Sequence, residues 1–90
     1  MRVARRLMIS GRVQGVGFRY FAQEAAIREG VAGWVRNLSD GRVEAYLEGE
    51  ADAVTRLERV LHWGPRGSRV EDVETESEPP IGSHTGFHVR

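Results

Sequence analysis

Residues Gly11 to Arg19 read Gly-Arg-Val-Gln-Gly-Val-Gly-Phe-Arg. Glycines and a closing arginine stand where an alternating, strand-like pattern gives way to a helical one. Such a junction lets bare backbone N–H groups wrap an anion with a guanidinium set over it. Gly15 and Gly17 flank Val16, so several consecutive amides can turn inward. Arg19 opens the next helix, where the helix dipole favours an acidic residue. A base there is electrostatically out of place unless an anion lies between it and the helix end. A plain chain reversal, using glycine only to bend, is the simpler alternative. The standard phosphate motifs do not fit. A Walker loop needs Gly-Lys-Ser/Thr where this chain has Gly17-Phe18-Arg19, and a dinucleotide fingerprint needs a glycine where it has Tyr20.

Asn37 is the second candidate. It ends an apolar stretch and precedes the turn Asn37-Leu38-Ser39-Asp40-Gly41. Taken alone, it reads as a turn former that bonds its own backbone. It gains chemical interest only if the fold brings it beside the Gly11–Arg19 segment. His62, His84 and His88 lack the spacing of a metal set and read as solvated or packing side chains. Glu71, Asp72, Glu74, Glu76 and Glu78 form an acidic run that suits a solvated edge strand. No Ser-His-Asp set or paired carboxylate stands out.

Elements must position these residues. Leu7, Ile9 and Val13 share one face of a first strand, Val3 to Val13. Phe18, Ala22, Ala25 and Ala26 recur at helical spacing, which predicts a helix from Phe18 to Glu29, stopped by Gly30. Val31 to Asn37 and Arg42 to Gly49 predict a hairpin across the Asp40-Gly41 turn, the latter strand alternating Val43, Ala45 and Leu47 against Glu44, Tyr46 and Glu48. Ala51 to Trp63 is a second helix with Val54, Leu57 and Leu61 inward and Asp52 in its first turn, closed by Gly64-Pro65. Arg69 to Glu76 reads as a strand whose Val70 and Val73 do not share a parity, a mismatch that a bulge removes. Glu78 to Gly82 is a loop, and Phe87-His88-Val89 a short last strand. The order strand, helix, strand, strand, helix, strand points to an α+β fold, the ferredoxin-like split βαβ sandwich. It has an antiparallel sheet with the first and third strands central and two helices on one face.

Composition narrows the chemistry. Ninety residues make one domain, 1–90, with one thin core. With no cysteine, disulfides, thiolate zinc sites and cysteine nucleophiles are excluded. Every basic residue is arginine, so no P-loop or Schiff-base lysine is available. Thirteen basic residues balance thirteen acidic ones, which argues against a nucleic-acid surface. Hydrophobic residues are too scattered for a membrane span, and no long apolar run follows Arg2, Arg5 and Arg6, so the expected location is the cytoplasm.

Taken together, the two segments resemble the acylphosphatases. Gly11-Arg-Val-Gln-Gly-Val-Gly-Phe-Arg19 is similar to the first signature of that family, and Gly33-Trp-Val-Arg-Asn37, followed by Gly41, Val43 and Gly49, to the second. The resemblance spans nearly the whole chain. It implies the ferredoxin-like fold and hydrolysis of the carboxyl-phosphate bond of acyl phosphates, without metal or organic cofactor. It also implies that Arg19 binds the phosphoryl group, that Gln14, Gly15, Val16, Gly17 and Phe18 form the backbone cradle, and that Asn37 orients the attacking water. The tail departs from many members by ending Phe87-His88-Val89-Arg90 without an aromatic, and Gly17 occupies a position that is often bulkier. The partners expected are a small acyl phosphate and the product inorganic phosphate, with the protein acting as a monomer. A non-catalytic anion-binding regulatory domain is the main rival. An RNA-binding domain would want exposed aromatics among basic residues, and Tyr46 stands between Glu44 and Glu48. A third reading, a unit of a larger carbamoyl-phosphate enzyme, fits a free-standing length poorly.

Overall fold

A computed structural model describes residues Met1–Arg90. The chain runs β1 (Arg2–Arg12), α1 (Phe18–Glu29), β2 (Ala32–Asn37), β3 (Val43–Glu50), α2 (Ala51–Trp63), β4 (Arg69–Glu78) and β5 (Phe87–Val89). Both helices begin and end where the sequence predicts, and strand ends shift by a residue or two. The sheet order is β4-β1-β3-β2-β5. β1 and β3 form the central antiparallel pair, with β4 beside β1 and β2 beside β3. β5 extends this antiparallel core by pairing in parallel with β2, Gly33 opposite Phe87 and Val35 opposite Val89. The sheet is therefore mixed at one edge.

Strand alternation decides what each face buries. Leu7, Ile9, Val35, Val43, Ala45 and Leu47 face the helices and meet Ala22, Ala25 and Ala26 of α1 and Val54, Leu57 and Leu61 of α2 in one core. Each helix stops on a glycine. At α1 the Gly30 and Val31 amides fold back to the Ile27 and Ala26 carbonyls. The parity mismatch in β4 resolves as anticipated. Ser10 pairs with Asp72 and Gly11 with Val70, so Glu71 is the extra residue, and both Val70 and Val73 reach the core.

The opposite face holds what alternation did not reveal. Glu44, Tyr46 and Glu48 look solvent-facing in the sequence, yet all three are buried. The segment between β4 and β5 crosses over Tyr46 and Glu48. The Ile81 and Gly82 amides donate to Glu48 at 3.2 and 2.8 Å, and the His84 ring lies 5.0 Å from that of Tyr46. Burial alone would raise the Glu48 carboxyl. Hydrogen bonds from Arg2, Tyr46, Gly82 and Ile81 outweigh it and hold the group down at about 2. Burial and that same carboxylate push the Tyr46 phenol up to about 12. Arg6 and Arg36 bind Glu44 at 2.7 and 2.6 Å. The face is closed by charge pairs and a strap, which leaves no exposed aromatic platform for bases.

Candidate active site

β1 and β2 both run antiparallel to β3, so their C-terminal ends emerge at the same end of the sheet. The register is specific, with Val43 opposite Ile9 on one side and Asn37 on the other. Asn37 shares the parity of Gly33 and Val35, so it lies on the helix side, where the loop leaving β1 climbs to α1. The fold thus supplies the adjacency that spacing could not establish.

A cleft of about 140 Å³ opens there, lined by Val13, Gly15, Gly17, Phe18, Arg19, Tyr20 and Asn37. Val13 and Phe18 turn their side chains into the core. Gly15 and Gly17 both have φ of +75°, the left-handed region, and the space where a Cβ would project is open. Glycine serves here to reach that backbone conformation, which leaves the loop surface bare. Gly17 caps α1 without a side-chain hydrogen bond, and no acidic residue stands in the first turn. The free amides of the helix start therefore remain available, with the positive end of the dipole behind them.

The sequence candidates divide into distinct positions. Arg19 lies at the cleft, and its Nη1 donates to the Arg90 backbone oxygen at 2.8 Å, which leaves the rest of the guanidinium fork free. Arg90 is held in turn by its amide, bonded to the Val35 carbonyl at 2.9 Å, and by its guanidinium, 4.5 Å from the Trp34 ring centre. Asn37 is exposed at the mouth. The turn-forming bond expected of it is made instead by Asp40, whose carboxylate accepts from the Arg42 amide at 3.1 Å. Gln14 and Val16 belong to the loop but do not line the cleft. The Gln14 amide nitrogen donates to the Leu38 and Arg42 carbonyls at 2.7 and 2.9 Å, and Val16 packs on the core.

Two neighbours escaped the sequence reading. Tyr20 falls outside the Phe18-Ala22-Ala25-Ala26 stripe, a sign that it is exposed, and its place next to Arg19 was the available signal. No pattern marked Arg90. A wider hollow of about 410 Å³ at the end of α2 is lined by Arg59, His62 and Trp63. It is an open surface depression with no convergent amides, so the smaller cleft is the candidate site.

A ferredoxin-like sandwich with a glycine-rich loop, an arginine and an unengaged carboxamide at one strand end defines a small α+β protein with a cleft suited to an anion. A family profile described as Acylphosphatase matches residues 5–89, and the chain belongs to the acylphosphatase family, whose reaction is the hydrolysis of acyl phosphates. It is 60% identical over 85 residues to an acylphosphatase of Rubrobacter xylanophilus, covering 94% of this chain and 77% of that protein. The crystal structure of acylphosphatase from Bacillus subtilis superposes with a TM-score of 0.94 at 38% identity, covering 98% of both chains. The same fold recurs inside full-length HypF, in its phosphate- and nucleotide-bound form, with a TM-score of 0.90 at 27% identity. That match takes in all of this chain and 12% of HypF.

Proposed function

We propose that the cleft hydrolyses an acyl phosphate by in-line water attack, with the phosphoryl group held by the Gly15–Phe18 amides and Arg19 and the water held by Asn37. The observation that carries this reading is the convergence of bare loop amides, a partly free guanidinium and an unengaged carboxamide on one cleft of about 140 Å³. That space suits a phosphoryl group and a water, being well below the roughly 300–1,000 Å³ of pockets that enclose whole small molecules.

The chemistry asks little else of the protein. Water attacks phosphorus, the bond from phosphorus to the carboxyl oxygen breaks, and the leaving group departs as a carboxylate. Carboxyl groups have pKa values near 4, so no general acid is required. Charge spreads over the equatorial phosphoryl oxygens in a loose transition state. Backbone amides and a planar guanidinium fork can meet those oxygens together. The Asn37 amide cannot act as a base, so the water's proton passes to a phosphoryl oxygen, and inorganic phosphate is the product. Catalysis then consists of positioning and fixed electrostatics. In this reading the monomer is the working unit. In the same reading, Gln14 contributes its backbone to the loop while its side chain braces it.

Phosphate release from benzoyl phosphate, measured in chelator, tests the assignment. Arg19→Ala should lose at least about 10²–10³-fold in kcat/KM and weaken inhibition by inorganic phosphate. Asn37→Ala should lose turnover on that same scale while phosphate inhibition stays near the wild-type value. Near-normal turnover in Asn37→Ala would remove the water-positioning role. A wild-type protein that binds phosphate without releasing any would favour the regulatory reading.

A further inference from the structure

We infer that Tyr20 receives the acyl half of the substrate and sets a preference for aromatic or bulky acyl phosphates over acetyl phosphate. The inference rests on the proposed cleft and extends it to the part of the substrate that neither the cradle nor Asn37 addresses.

The cleft has room for the phosphoryl group but not for a large acyl group, so the acyl chain must project from the mouth. The lining leaves one surface to meet it. Val13 and Phe18 are buried, and Gly15 and Gly17 have no side chain. Arg19 and Asn37 are polar and committed to the phosphoryl group and the water. Tyr20 alone offers an exposed apolar surface, 65% accessible, at the cleft's edge. It follows Arg19 in the first turn of α1, so a substrate held by that guanidinium and the helix amides carries its acyl group past the ring. The nearby aromatic pair, Phe18 and Phe21, is formed within the protein with ring centres 6.2 Å apart, and Tyr20 takes no part in it. An aromatic acyl group can stack on or edge against a free phenol ring, whereas a methyl group covers little of it.

The test compares benzoyl phosphate with acetyl phosphate in the wild type, Tyr20→Phe and Tyr20→Ala. The benzoyl-to-acetyl ratio of kcat/KM should fall roughly three- to tenfold in Tyr20→Ala, chiefly through KM for benzoyl phosphate, the range expected for losing one aromatic contact. Tyr20→Phe should keep the wild-type ratio, since the ring does the work. Phenylphosphonate should likewise lose its advantage over methylphosphonate as an inhibitor in Tyr20→Ala only, a binding measure independent of turnover. A general loosening of the loop would instead weaken both phosphonates and inorganic phosphate alike, and that outcome overturns the inference. An unchanged ratio in Tyr20→Ala, or a Tyr20→Phe variant as impaired as the alanine, overturns it too. In either case, wild-type turnover that depends on Arg19 and Asn37 would leave the cleft assignment standing. A wild type that cleaves neither substrate removes both.

Discussion

Gln14→Ala is the perturbation that most directly asks whether the cleft works by positioning. The Gln14 side chain joins the cradle loop to the β2–β3 turn through two hydrogen bonds, at 2.7 Å to the Leu38 carbonyl and 2.9 Å to the Arg42 carbonyl. Leu38 directly follows Asn37, so the brace fixes the separation between the loop proposed to hold phosphate and the residue proposed to hold water. Each neutral hydrogen bond contributes about 1 kcal/mol net, so losing both should cost about 2 kcal/mol of stability. For a domain of this size that lowers Tm by roughly 10 °C. The kinetic effect should be larger in proportion. A shift of about 1 Å in a positioned reactant costs about 10²-fold in rate, so kcat should fall by roughly that factor at a temperature where the variant is fully folded. Steady-state hydrolysis of benzoyl phosphate, run beside a thermal melt, reads both quantities. A variant that loses the expected Tm but keeps kcat within about twofold would refute the claim that the brace sets reactive geometry, leaving it a stability feature only.

Other expectations concern the scaffold. Glu48, held near 2 against an ordinary 4.5, binds fewer protons when folded than unfolded, so its contribution is complete above pH 4.5 and fades as pH falls toward 2. Denaturant midpoints of the wild type should therefore drop through that window, and those of Glu48→Gln should drop by less; parallel curves would discount the Glu48 clasp. Gly33→Ala places a Cβ, at φ +142°, against the Tyr46 carbonyl oxygen. It should destabilise the protein by about 3 kcal/mol in urea titrations, with failure shown by a change below about 0.5 kcal/mol.

The helices and the hairpin were legible because their signals are local. The Phe18–Ala26 stripe, the Val54–Leu61 stripe and the Asp40-Gly41 turn each lie within one element. What stayed hidden depends on segments far apart in sequence. Glu44 and Glu48 alternate like surface residues, but Glu44 is enclosed by Arg6 and Arg36 and Glu48 by the crossing of residues 79–86. Asn37 resembled a turn residue because Asp40, three positions later, could not be recognised as the side chain that takes the turn bond. Gln14 counted as part of the cradle by position, while the partners of its side chain lie across the β2–β3 turn. Of the cleft, the loop could be read directly, its facing residue only through the family resemblance, and Tyr20 only as an exposed position beside Arg19.

The parallel edge strand gives the fold a reason to carry β5 in so small a protein. Arg19 sits beside a positive helix end, which repels its guanidinium and would let the long side chain swing into solvent when no phosphate is bound. The Arg90 backbone oxygen counters this with an acceptor 2.8 Å from Nη1, and one occupied nitrogen orients the planar fork without closing its other donors. That oxygen is useful only if it is itself fixed. The pairing of Val35 with Val89, the Arg90 amide bond to the Val35 carbonyl and the Arg90–Trp34 stack fix it from both faces of the sheet. Since β2 also ends in Asn37, one strand steadies Asn37 directly and Arg19 through its neighbour Arg90. A preset guanidinium avoids the side-chain ordering cost of about 2 kcal/mol that a free arginine would incur on binding. In the proposed mechanism, that saving helps a site whose only charged grip on the substrate is Arg19.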